Sequence, residues 1–73
     1  MKHEFEHVKI GGGFNAVFCA NCMLIIAAIP NFDGLNPGDS VFIEEHNVII
    51  YNGSDLPDSV INSLVKKHNA KCK

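Results

Sequence analysis

Two pairs of side chains in this sequence have the types and the spacing to hold a metal ion. Cys19 and Cys22 flank Ala20-Asn21, and His68 and Cys72 flank Asn69-Ala70-Lys71. Thiolate sulfur and neutral imidazole nitrogen are the donors of tetrahedral structural zinc, and a Cys₃His shell leaves no position open for water. The predicted site is therefore a structural zinc held by Cys19, Cys22, His68 and Cys72. His3, His7 and His46 stand next in line should Cys72 not serve. Other readings of the same residues stay open. Buried cysteines also behave as small hydrophobes, and a histidine near a helix end can act as a cap. A redox Cys-x-x-Cys needs a thioredoxin-like strand and helix context, for which this chain is too short.

The elements that must position those side chains follow from apolar spacing. Phe5, Val8 and Ile10 lie among charged residues between Glu4 and Ile10, an imperfect period-two pattern that predicts a first strand. Gly11-Gly12-Gly13 predicts a hairpin connection into a second strand, Phe14 to Phe18, that runs into Cys19. Met23 to Ile29 is continuous apolar sequence rich in β-branched residues, which predicts a buried strand ended by Pro30. Residues 31–39 read as a loop, with Phe32 and Leu35 either pegged to the core or exposed. Ser40 to Glu45 and Asn47 to Tyr51 read as two strands joined by a tight turn at His46-Asn47.

A helix opens at Asp55-Leu56-Pro57-Asp58, where proline loses nothing by lacking an N–H and aspartate favours the positive end of the dipole. Val60, Ile61, Leu64 and Val65 form an apolar stripe, and His68 and Cys72 continue it at helical spacing. The helix is thus expected to carry both terminal ligands inward. The fold class expected is α+β, a single domain over residues 1–73. It consists of a small antiparallel sheet of about four strands joined by hairpins, with one C-terminal helix packed on it and zinc as the staple.

Composition narrows the function. At 73 residues and 8.0 kDa the chain can bury only a small core, and domains of this size commonly add a metal, a disulfide or a partner. Three cysteines leave one thiol over from any purely disulfide framework. All six basic residues are lysine and the net charge is −2, so arginine-based reading of DNA bases is disfavoured. No apolar leader precedes the first strand, and the Met23 to Ile29 run is too short to span a bilayer. A reducing cytoplasm is the expected setting. Catalysis is not expected, because a filled zinc shell activates no water and no Ser-His-Asp or paired-carboxylate set stands out.

The layout His3-x-Phe5-x-His7-Val8, Gly11-Gly12-Gly13-Phe14, Cys19-x-x-Cys22 and the final His68-x₃-Cys72 resembles small zinc-finger-like proteins encoded by bacteriophages and other mobile elements. The likeness covers the first third and the last fifth of the chain. Met23 stands where that family has glycine, and one extra residue precedes Cys72. Length and strand-then-helix order are also similar to a small RNA-polymerase-binding inhibitor of a Xanthomonas phage. These resemblances imply a metal-stabilised interaction module that binds a host protein such as RNA polymerase and regulates transcription. Exposed strand edges and Lys66, Lys67, Lys71 and Lys73 are the expected partner surfaces. The alternative is a nucleic-acid-binding finger that uses the lysine-rich end of the helix.

Overall fold

Strands with apolar residues at alternate positions build sheets with distinct faces, and here the alternation sets which face receives the helix. The computed structural model describes residues 3–10 and 14–71. The five strands are β1 (Phe5–Ile10), β2 (Phe14–Cys19), β3 (Leu24–Ala28), β4 (Ser40–Ile43) and β5 (Val48–Tyr51), and one helix follows, α1 (Asp58–Lys67). Their order across the sheet is β1-β2-β3-β5-β4. The glycine connection between β1 and β2 lies outside the described residues.

The α+β class and the single C-terminal helix match the sequence reading, with five strands in place of about four. The expectation of a purely antiparallel sheet needs one correction. β1/β2, β2/β3 and β4/β5 are antiparallel, but β3/β5 is parallel. The physical reason lies in composition. β5 is apolar at every position and holds the fully buried Ile49, whereas β4 begins with a serine and has an exposed valine. The more apolar strand takes the inner slot, and the 29–39 loop carries the chain past that slot to the edge before the hairpin returns. The hairpin turn is a short 3₁₀ turn, Glu44–His46, closed by Asn47 in the left-handed conformation at φ 55°. At the opposite edge β1 presents Glu6 and Lys9, charges that discourage pairing with another chain's edge.

One cross-strand row runs His7, Val17, Ile26, Ile49, Phe42 through all five strands. Its three central members are wholly excluded from solvent. They join Cys19, Leu24 and Ala28 from the sheet and Leu56, Ile61, Leu64 and Ala70 from the α1 side in one core. Burying each aliphatic side chain contributes roughly 1.5–3 kcal/mol. Phe32 and Leu35 are half-buried and are not among the side chains packed against this core.

The 29–39 loop is tied down by Asn52, the buried polar residue of the described chain. Its Nδ2 donates to the Leu35 carbonyl at 2.7 Å and its Oδ1 accepts from the Asn31 N–H at 3.0 Å. Its own N–H donates to the Asp39 carbonyl, and its carbonyl accepts from Gly38, both at 2.9 Å. Gly53 follows because the Tyr51 ring lies where a Cβ at that position would stand.

α1 starts where Pro57 holds an extended conformation and its carbonyl accepts the Val60 and Ile61 N–H groups. Asp58 occupies the first turn, where a carboxylate suits the dipole. The helix stops at Lys67. Asn69 turns left-handed at φ 52°, its N–H reaching Lys66 O and the Ala70 N–H reaching Val65 O, which is the Schellman ending.

Candidate metal centre

The end of β2 and the start of β3 form a tight knuckle around the two thiols. The Met23 N–H donates to the Cys19 carbonyl at 2.7 Å, with Met23 itself left-handed at φ 62°. Asn47 braces the same knuckle from the β4–β5 turn, its Nδ2 donating to the Cys22 carbonyl at 2.8 Å and its carbonyl accepting the Ile25 N–H at 3.1 Å. Cys19 is fully buried and Cys22 half-buried.

The histidine beside these thiols is His3. Its Nδ1 lies 3.4 Å from Cys19 Sγ and 3.2 Å from Cys22 Sγ. Its Nε2 lies 3.3 Å from the carbonyl oxygen of Ala70. The His3 ring stacks on Phe5 with centroids 5.2 Å apart, and Phe5 is registered opposite Cys19 across β1 and β2. One donor atom from each of His3, Cys19 and Cys22 falls within 4.8 Å of the others, so the three lie close enough to hold a metal ion.

Of the four ligands expected from sequence, Cys19 and Cys22 come together, and Cys72 lies outside the described residues. His68 is not part of the group that the described residues form. The reason is the end of α1. The predicted stripe assumed that the helix continues through Cys72, but it ends at Lys67, and His68, its N–H still bonded to the Leu64 carbonyl, is delivered beside β4. His68 instead forms a 2.7 Å hydrogen bond between its Nε2 and Ser40 Oγ, and its ring meets Phe42 at a tilt. Burial, with the Lys67 charge beside it, lowers the His68 pKa from its usual 6.5.

His3 was visible in the sequence as an alternation. If Phe5 points to the core from a strand, then His3 and His7 share its face. His7 lies 3.9 Å from the Asp58 carboxylate at the start of α1, and His46 is exposed on the 3₁₀ turn. Lys66, Lys67 and Lys71 are exposed around the end of α1, while Lys73 lies outside the described residues. No described helix is long and apolar enough to cross a membrane. No protein-family model, curated protein or solved structure matches this chain.

Proposed function

We propose that this chain is a zinc-stabilised interaction module that binds a protein of a host cell through the sheet face opposite α1. The observation that carries the reading is the composition of that face. Two cross-strand rows lie on it, Glu6-Phe18-Ile25-Val48-Ile43 and Val8-Ala16-Ala27-Ile50-Val41, and only Glu6 is polar. Val8 is 46% exposed and Val41 38% exposed, while Phe18, Ile25, Ile43, Val48 and Ile50 are half-buried. A solvated sheet face ordinarily carries polar side chains, and a contiguous apolar one marks a contact surface. Zinc suits the two sulfurs and one imidazole that converge at the knuckle, and it would supply stability that so small a core lacks.

The phage-protein resemblance makes bacterial RNA polymerase the first partner to test, with regulation of transcription in the host cytoplasm as the outcome. In the test, purified polymerase is titrated with the zinc-loaded chain and with a Val8→Lys/Val41→Lys variant. Binding by the parent is expected, with a loss of about tenfold or more in the variant at an unchanged melting temperature. Equal binding by both proteins would remove the sheet face as the docking surface. A parent that self-associates and ignores polymerase would show that a second copy occupies the face.

A further inference from the structure

We propose that the metal binds Nδ1 of His3 together with the sulfurs of Cys19 and Cys22, and that the Ala70 carbonyl fixes the imidazole tautomer this requires. The proposal rests on the zinc-stabilised reading above and deepens it by naming the ligand atoms.

The two sulfurs approach a single ring nitrogen. An imidazole nitrogen offers either one proton or one lone pair, so it makes one good hydrogen bond and not two. Convergence of both sulfurs on His3 Nδ1 at 3.4 and 3.2 Å is the arrangement of donors that share a cation. Tetrahedral angles with Zn–S near 2.3 Å and Zn–N near 2.0–2.1 Å place sulfur and nitrogen about 3.6 Å apart. The observed separations need to open by only a few tenths of an ångström.

The far side of the ring decides the tautomer. A carbonyl oxygen only accepts, so the contact from His3 Nε2 to Ala70 O at 3.3 Å puts the proton on Nε2 and leaves the Nδ1 lone pair facing the sulfurs. Metal-bound histidines characteristically donate their second N–H to such a group. Stacking on Phe5 holds the ring plane.

The same carbonyl is itself fixed in place. Ala70 is buried against the core, and the Schellman turn at Asn69 has already directed the chain toward His3. His68 is engaged with Ser40, and His7 lies beside Asp58.

The test uses the full chain purified without added metal and reads metal content, affinity by chelator competition, and the cobalt(II) spectrum. About one zinc per chain is expected. His3→Ala should weaken zinc by more than about a hundredfold, beyond the 10–100-fold expected from losing an outer partner, whereas His68→Ala should leave affinity unchanged. Cys22→Ser should lower the thiolate-to-cobalt absorption by one thiolate's share. Nitrogen-15 shifts of the native protein should show a protonated Nε2 and a metal-bound Nδ1 on His3, a readout that needs no variant to fold. Parent-like affinity in His3→Ala, release of zinc by His68→Ala, or an unchanged cobalt spectrum in Cys22→Ser would overturn this ligand set while leaving a metal-stabilised module standing. Failure of the parent to bind zinc would sink both. Loss of the polymerase interaction alone would leave the site untouched.

Discussion

Met23 holds a left-handed backbone at φ 62° with its side chain 64% exposed, so it bears a conformational cost with little packing in return. For an L-residue that conformation costs roughly 1–2 kcal/mol, and glycine avoids it at some expense in unfolded-state entropy. Met23→Gly should therefore stabilise the folded chain by about 0.5–1 kcal/mol in urea unfolding. Met23→Val, β-branched at positive φ, should destabilise it by about 1 kcal/mol. His68 sets a pH dependence with a definite sign. Its folded pKa lies below 6.5 because burial, then Lys67, disfavours the imidazolium. Above 6.5 both folded and unfolded chains carry the ring neutral, and its contribution is complete. As the pH falls below 6.5 the unfolded chain takes up the proton first, so stability declines until the lower folded pKa has been passed. Urea midpoints measured from about pH 7.5 to about pH 5.5 should fall less steeply for His68→Gln, which keeps a partner for Ser40 without titrating near neutrality.

Elements were legible where the apolar spacing was regular. The strand at Met23 to Ile29, the hairpin around Asn47 and the helix stripe all appear close to where their patterns place them. The helix end was not legible, because Val65, His68 and Cys72 keep helical spacing whether or not the backbone stays helical. Asn69 was the available signal, a residue that tolerates the left-handed turn needed for a Schellman ending. His68 precedes that turn and is held by α1 beside Ser40 and Phe42. The parallel β3/β5 contact was hidden for a different reason: local patterns specify strands, while their order depends on which strand gains most from having a neighbour on each side. Ile49 in β5 is the measure of that gain, since it is fully buried between Ile26 and Phe42 in the central row. Ile49→Val should cost about 0.5–1.5 kcal/mol. Ile49→Ala should cost about 2–5 kcal/mol. Only about 3–5 kcal/mol is available from a core of this size, so the alanine variant should be largely unfolded by circular dichroism unless metal is supplied.

At the scale of the whole molecule, the sheet separates two tasks. One face accepts α1 and, at its Cys19 end, gathers His3, the knuckle and the Ala70 carbonyl. The other face stays apolar and uncovered by the helix. Half of the candidate site was readable from Cys-x-x-Cys alone, because that spacing makes a knuckle almost independently of context. The histidine was harder, because choosing among four required knowing which of them the sheet register delivers to Cys19. The clasp at Asn52-Gly53 has a consequence of another kind, in chemical ageing. In a loose chain an Asn-Gly pair is prone to lose ammonia through a cyclic imide, because the unhindered glycine nitrogen can attack the side-chain amide. Here the Asn52 amide is held by Leu35 and Asn31, and Gly53 lies under the Tyr51 ring. The folded chain therefore shields its most perishable bond, and conversion at Asn52 becomes a cumulative record of the time each molecule has spent unfolded.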